Sequence, residues 1–282
     1  MLRLSAVKRR LKKLPAYLPF VLWVAFFTAA VGWIVCASLS TTREIFTNTI
    51  FTSGIHWENY VNAWQKNNIV RYFLNSLIVS SVSCLGILLI GAPAGYVLGH
   101  KLFKGRKLLT NTFLFAISVP SVMVIIPLFS VLIRANMVGR LETLILLYVT
   151  SNVPYTVYFL AGFFSTVPGA LEEAALVDGC TNSRAFWTIM LPIASPSIIT
   201  VTIFNFINTW NEYFIALIFV NSSSNNRTLA VGLQNMIFAM KFSGDWAGLF
   251  ASVIIVFLPT LVIYLFLSEK IVAGITQGAI KG

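Results

Sequence analysis

The chain has 282 residues, of which 57% are hydrophobic and 10% are charged, and its net charge is +11. An ordinary globular domain is roughly one quarter charged, so this composition excludes a soluble enzyme, a disordered chain and a small disulfide-stabilised module. An integral membrane protein remains. In a soluble protein this positive charge could indicate a nucleic-acid partner. Here it is attributed to loops beside a lipid bilayer, and no nucleic acid is expected.

Six long stretches that are nearly free of charge follow one another along the chain. About 20 apolar residues form a helix that crosses the hydrocarbon core, where lipid offers the backbone no hydrogen bonds. The sequence therefore predicts an all-α integral membrane protein with six transmembrane helices, near 15–38, 72–98, 109–133, 143–165, 197–219 and 246–267. The segments on the N-terminal side of the bilayer contain thirteen Lys and Arg and the others seven, which predicts that both termini are cytoplasmic.

Two regions outside these spans have a distinct composition. The loop at 39–71 is aromatic and polar, which is typical of a helix that lies at the membrane interface. The tail at 268–282 contains three glycines, so it is expected to form little helix on its own.

The predicted cytoplasmic segment between the fourth and fifth spans favours two short helices. Pro168 suits a first helical turn, and Glu172 and Glu173 follow where the helix dipole stabilises anions. Gly179 suits the left-handed position after the helix, and a second helix is predicted at 183–190, before Pro192. From the residues alone, this segment is either an ordinary amphipathic loop helix or a docking helix for another protein.

The same segment contains a longer pattern. Glu173-Ala174-Ala175 is followed after three residues by Gly179, and after nine more by Ile189-Met190-Leu191-Pro192. All seven fixed positions of the EAA signature of bacterial ABC importer permeases are therefore present at the correct spacing. The chain resembles the carbohydrate-uptake permeases of the maltose type, and their MalG-like subunit in particular. The similarity also includes 57–60, 75–76, 171–192, 210–213 and the tail ending at 278–282.

This resemblance implies the type I ABC importer (MetI-like) permease fold with a cytoplasmic coupling helix, in a bacterial inner membrane. It divides the chain into an N-terminal region with the first helix and outer loop (1–71), a permease core (72–267) and a cytoplasmic tail (268–282). In such systems the tail inserts between the ATPase subunits. The residues implied in coupling to an ATPase are Glu172, Glu173, Ala174, Ala175, Asp178, Gly179, Ile189, Leu191 and Pro192.

The resemblance also implies the partners. They are a second, MalF-like permease subunit, two ATPase subunits, and an extracytoplasmic substrate-binding protein that delivers a sugar or oligosaccharide. The chain itself is then not an enzyme and holds no cofactor, because ATP and Mg²⁺ would be bound by the ATPase subunits.

One predicted span contains a charged residue, Glu212. A carboxylate near the bilayer centre is costly, so it should face protein or water. Asn205, Asn208 and Glu212 follow helical spacing, and with Asn211 they are predicted to line the translocation path. Two alternatives remain open: the polar residues are a structural tie between helices, or Glu212 is the ion site of a secondary transporter.

Three glycines in the second span are spaced four residues apart, namely Gly91, Gly95 and Gly99. They lie on one face of a helix and permit a neighbouring helix to approach closely. We expect this face to be a packing surface.

Overall fold

The computed structural model describes residues 14–66 and 68–279, and it consists of helices joined by short connections. In chain order the helices are α1 (Leu14–Ser38), α2 (Thr42–Thr47), α3 (Glu58–Lys66), α4 (Ile69–His100), α5 (Arg106–Ser118), α6 (Ser121–Arg134), α7 (Leu141–Phe164), α8 (Ala170–Val177), α9 (Asn182–Ile193), α10 (Ser195–Asn211), α11 (Phe214–Val220), α12 (Leu229–Ser243) and α13 (Trp246–Ala279). Four of them are long and apolar enough to cross a membrane, and the number rises to six if each sharply bent pair is one span.

The described residues form two compact units, and the first contains residues 14–66, 68 and 235–255. Its helix α1 is exposed along most of its length, as expected of an apolar helix that faces lipid. The loop predicted to lie at the interface contains α2 and α3. A capping box between Thr41 and Glu44 starts α2. Backbone N–H groups of Thr41 and Ser53 donate to the Glu44 carboxylate and lower its pKa to about 2.

The second unit contains residues 69–234 and 256–279, and the contact of α4 with α7 forms its centre. The glycine face of α4 lies directly on α7. A Cβ atom on Gly91 would come 2.8 Å from Thr156 Cγ2, and one on Gly95 would come 2.8 Å from Leu160 Cβ. Gly99 meets the backbone of α7 itself at Ala161. The predicted packing surface is therefore confirmed.

The helix predicted at 109–133 is not continuous. Instead α5 and α6 meet at 91°. The break lies at Val119, which is extended (φ −75°, ψ 119°), and at Pro120, which precedes α6. The ring of Pro120 disfavours the helical conformation of the residue before it, and its nitrogen has no hydrogen to continue the helix.

The continuous helix predicted at 197–219 is also wrong. Helix α10 ends at Asn211, Glu212 is extended (φ −66°, ψ 123°), and the chain resumes as α11. The carboxylate of Glu212 makes this break possible, because it accepts hydrogen bonds from the N–H groups of Ile215 and Ala216 at 2.8 and 3.1 Å. Those groups would otherwise be unpaired at the start of α11.

Side-chain contacts divide the loops of the second unit between two ends of the bundle. At the first, here called the Asn75 end, the Asn75 amide donates to the carbonyls of Asn225 and Arg227 at 2.9 and 3.0 Å. The Asn226 amide donates to the Gly139 carbonyl at 2.7 Å. The start of α4, the turn before α7 and the loop after α11 therefore lie together.

The opposite end, here called the Lys101 end, contains the end of α4 and the segment 165–193. Lys101 donates to Asn182 at 3.2 Å and forms an ion pair with Glu172. Helix α4 ends at the Lys101 end, and α7 begins at the Asn75 end. The pair of α5 and α6 must therefore carry the chain from the Lys101 end back to the Asn75 end. The bent pair of α5 and α6 is thus one broken crossing. The other sharply bent pair is α9 with α10, which meet at 78°.

The expectation that the tail forms little helix on its own is wrong as far as Ala279. Helix α13 continues from Trp246 through the tail to that residue. Adding residues to an established helix is much easier than nucleating one, which explains why the glycines do not end it. The predictions made for 280–282 lie outside the described residues.

Candidate functional site

The segment that contains the EAA signature forms two helices around a glycine turn. Helix α8 ends at Val177, and Gly179 adopts the left-handed conformation (φ 86°), as predicted. The hydroxyl of Thr181 then accepts a hydrogen bond from the N–H of Arg184 at 3.3 Å and caps α9.

The second helix is longer than the predicted 183–190, because it passes through Pro192 and ends at Ile193. Residues Phe186–Met190 form a π-helical turn, in which the N–H of Leu191 bonds the carbonyl of Phe186, five residues earlier. The wider turn makes room for the ring of Pro192, which would crowd the carbonyl four residues back in a regular helix.

Helix α8 has one face toward its own chain and one face away from it. Glu172 and Ala175 are buried, with 5% and 4% of their surface exposed. Glu173, Ala174 and Val177 are exposed on the opposite side, and Val177 keeps 88% of its surface. We call the exposed residues Ala170, Glu173, Ala174 and Val177 the outer face of α8; they follow i, i+3, i+4, i+7 spacing. The two glutamates therefore have different surroundings.

The buried carboxylate of Glu172 is enclosed by groups at the end of α4. Its Oε1 accepts a hydrogen bond from the Tyr96 hydroxyl at 2.5 Å and pairs with Lys101, and its Oε2 lies 3.1 Å from His100 Nε2. Burial would raise the pKa of the Glu172 carboxyl, but the hydrogen bonds from Lys101 and Tyr96 outweigh it and the pKa is lowered. Glu172 is therefore held as an anion inside the protein.

The later positions of the signature lie on or beside an apolar cluster. Phe186 and Met190 of α9 are buried against Tyr96 and Phe164, and Leu191 packs on the same cluster. Ile189 is half-buried and Pro192 is exposed. Exposed Asp178 and Gly179 lie in the turn between the helices. Some residues of the signature therefore pack against the bundle, whereas others are exposed on the surface of this segment.

The predicted polar stripe likewise contains both buried and exposed residues. The buried Asn205 donates to Thr156 Oγ1 of α7 at 2.9 Å, so it ties α10 to α7. Asn208 is exposed and donates to Asn152 Oδ1 at 2.8 Å. Asn211 is exposed and donates within its own helix to the Ile207 carbonyl at 2.8 Å.

Glu212 accepts hydrogen bonds from α7 as well as from α11. Besides the two N–H groups of α11, the Tyr148 hydroxyl donates to it at 2.7 Å. The half-buried carboxylate therefore has three donors from protein groups.

A cavity of about 870 Å³ lies beside this stripe. Its wall combines amide, hydroxyl and carboxylate groups with aromatic rings, contributed by the α5–α6 break, α7 and α10–α11. The lining residues most relevant to a polar ligand are Phe115, Tyr148, Ser151, Asn152, Tyr155, Asn208 and Glu212. Asn205 borders a smaller adjoining cavity of about 270 Å³ with Asn152 and Tyr155.

Several residues of this site were not found from the sequence. They are Tyr96, His100, Lys101 and Asn182 around Glu172, and Tyr148, Asn152, Tyr155 and Thr156 beside the stripe. The basic pair at 100–101 directly after a span was one available signal, because a buried carboxylate needs a cationic partner.

Comparison with known proteins agrees with this geometry. The family described as "Binding-protein-dependent transport system inner membrane component" matches residues 91–276. The diacetylchitobiose uptake system permease protein NgcG of Streptomyces coelicolor is 34% identical, over 93% of this chain and 86% of that protein. The trehalose transport system permease protein SugB of Mycobacterium tuberculosis is 29% identical, over 92% and 97%.

The fold is also that of a solved transporter. A chain of a bacterial ABC transporter that imports the acidic polysaccharide alginate superimposes with a TM-score of 0.78. The two chains are 18% identical, and the match covers 92% of this chain and 97% of that one.

A multi-pass helical bundle with an EAA segment at one end defines an importer permease. The chain belongs to the family of binding-protein-dependent transport system inner membrane components. The predicted resemblance to ABC importer permeases of the carbohydrate-uptake class is confirmed, as is the all-helical permease fold.

Proposed function

We propose that this chain forms, with a second permease subunit, the path by which an oligosaccharide crosses the inner membrane. Two ATPase subunits that bind ATP and Mg²⁺ drive the cycle, and an extracytoplasmic binding protein delivers the sugar. Relatives that are permeases for diacetylchitobiose and trehalose support a carbohydrate substrate. The lining of the cavity is suited to a sugar, since amides and carboxylates hydrogen-bond hydroxyl groups and aromatic rings cover apolar sugar faces.

The observation that carries this proposal is the outer face of α8. Glu173, Ala174 and Val177 are exposed on a helix whose other side is fixed to the bundle. Small and apolar side chains beside one carboxylate suit a cleft in a partner protein that contains a basic group. We infer that the Lys101 end faces the cytoplasm, as the excess of Lys and Arg on that side predicts, and that both termini lie there too.

The family favours this function over an ion-coupled secondary transporter. Members are components of binding-protein-dependent systems. The alternative depended on Glu212 as an ion site. The carboxylate of Glu212 instead accepts hydrogen bonds from groups of α7 and α11.

Substitution of Glu173 tests the docking assignment. Truncating one member of a desolvated interfacial charge pair costs about 2–5 kcal/mol, mostly through the dissociation rate, whereas an exposed carboxylate contributes under about 1 kcal/mol. Glu173→Ala should therefore release the ATPase subunits, and Gly179→Leu should do the same because a side chain at φ 86° distorts the turn. Co-purification of the ATPase with tagged permease measures the effect.

Glu142→Ala is the matched control, because Glu142 is also exposed but lies at the opposite end of α7. It should retain the ATPase at the level of the parent protein. Equal retention by Glu173→Ala and the control would contradict the docking assignment.

A further inference from the structure

We propose that Glu172 is a positioning residue that fixes α8 to the end of α4, so that movement of α8 reaches the wall of the polar cavity. The proposal rests on the function proposed above. It separates two adjacent carboxylates: Glu173 meets the ATPase subunit, whereas Glu172 connects the docking helix to the bundle.

The carboxylate of Glu172 is buried within this chain and is not accessible to a partner protein. It is 95% buried in this chain alone, on the face of α8 opposite to Glu173. Both of its oxygens are occupied, one by Tyr96 and Lys101 and the other by His100. A buried carboxylate with these partners strongly resists separation from them, because separation would leave charges without compensation.

The contacts extend to both sides of the Gly179 turn. Lys101 pairs with Glu172 on α8 and donates to Asn182 at the start of α9 at 3.2 Å. His100 also reaches α7, where its Nδ1 lies 3.3 Å from the Phe164 carbonyl. The end of α4 therefore holds α8, α9 and the end of α7 together, so a push on α8 is not absorbed by the Gly179 turn.

The close contact between α4 and α7 links the end of α4 to the cavity. Gly95 packs against the Cβ of Leu160, and Gly99 packs directly on the backbone of Ala161 in α7. Helix α7 contributes Ser151 and other residues to the cavity wall. A displacement of α8 is thus transmitted through α4 to α7, along packed elements that have little room to slide.

A labelling experiment on the assembled importer tests this connection without knowledge of the sugar. Ser151→Cys is introduced into a chain whose three native cysteines have been replaced, and the rate of its reaction with a maleimide is measured in the complex with its binding protein. In the parent, Mg²⁺ and a non-hydrolysable ATP analogue should change that rate. With Glu172→Ala, the ATPase should still co-purify, and the nucleotide-dependent change should be lost.

Other variants separate this role from a general loss of structure. Tyr96→Phe removes one donor to Glu172 but keeps the ring in its apolar cluster, so it should reduce the nucleotide-dependent change only in part. Lys101→Ala should reproduce the loss, and the double variant with Glu172→Ala should be no worse than the more severe single one, as expected for partners in one contact.

Two outcomes would overturn the proposal. One is loss of the ATPase from Glu172→Ala to the extent seen with Glu173→Ala, which would make Glu172 a part of docking. The other is a normal nucleotide-dependent change in that variant. A parent complex that does not respond to nucleotide at all would instead contradict the proposed function.

Discussion

The carboxylate of Glu212 illustrates how a charged side chain is accommodated inside the bundle. It accepts hydrogen bonds from Tyr148 of α7 and from the N–H groups of Ile215 and Ala216. An anion at a helix N-terminus is favourable, because the helix dipole and the unpaired N–H groups both attract it. The residue therefore acts as a structural tie and at the same time borders the polar cavity.

Replacement of Glu212 should separate these two contributions. Glu212→Ala leaves two N–H groups and the Tyr148 hydroxyl without their acceptor, and each unsatisfied group costs about 1–3 kcal/mol. We expect a lower melting temperature in detergent and reduced transport. Glu212→Gln keeps an acceptor oxygen and should lose less stability.

Asn211→Ala provides the control for this substitution. Asn211 is adjacent and exposed, and its strongest hydrogen bond is within its own helix, so its loss should barely change the melting temperature. If Glu212→Ala melts like the control but transports differently, the structural tie is refuted and a role in the translocation path alone remains.

For single residues, the sequence identified candidate site positions but did not identify the side chains that these positions contact. The EAA spacing located the segment that contains the outer face of α8, and the isolated charge located Glu212. However, adjacent glutamates look alike in a sequence. Only the position of Tyr96 and Lys101, 71 or more residues earlier in the chain, determines that Glu172 is buried and Glu173 exposed.

Among the elements, the contact of α4 with α7 depends on the absence of side chains. At Gly99 an added Cβ would collide with the backbone of Ala161, which cannot move aside as a flexible side chain could. At Gly91 and Gly95 the nearest atoms of α7 belong to side chains, and the closest backbone atom to a Cβ on Gly95 would be the Val157 carbonyl oxygen at 3.2 Å. Gly99 is therefore the least tolerant position of the packing surface.

Gly99→Ala should destabilise the protein by about 1–3 kcal/mol, the usual cost of overpacking a well-packed interior. Gly162→Ala is the matched control, since Gly162 is in α7 and a Cβ there has no neighbour within 4 Å. It should be neutral or stabilising by up to about 1 kcal/mol, because alanine favours helix. Chemical unfolding in detergent would measure both, and equal stability of the two variants would show that the helices are not in close contact.

The length of an apolar stretch predicted where spans lie but not whether they are straight. Pro93, Pro127 and Pro154 lie within continuous helices, whereas Pro120 marks the 91° break between α5 and α6. A proline weakens a helix at each of these positions, and packing against neighbours decides which one yields. The six predicted crossings agree with the upper count that the structure allows, and the length of the apolar stretches did not reveal the sharp bends.

For the molecule as a whole, the contacts at the two ends fix which loops share a side of the membrane. Cysteines at Leu102 and Val177, which are both 88% exposed at the Lys101 end, should react with a membrane-impermeant thiol reagent from the same side. A cysteine at Ser224, in the exposed loop at the Asn75 end, should react from the other side. Right-side-out and inverted vesicles would distinguish them.

Val177→Cys supplies the decisive comparison in this experiment. If its cysteine reacted from the side of Ser224→Cys, the bent pair of α5 and α6 would enter and leave the bilayer on one side, and the proposed docking helix would face away from the ATPase. Agreement of Leu102→Cys with Val177→Cys in inverted vesicles would in addition place the Lys101 end in the cytoplasm.

The break at Glu212 also has a consequence for the biosynthesis of the protein. An acidic residue in the middle of a span opposes membrane insertion by about 2.5–3.5 kcal/mol, so the segment 195–220 is a poor candidate for entering the bilayer alone. The hydroxyl that satisfies this residue belongs to Tyr148, which is synthesised earlier, within α7. The segment 195–220 is therefore expected to become stable in the bilayer only once it has paired with α7.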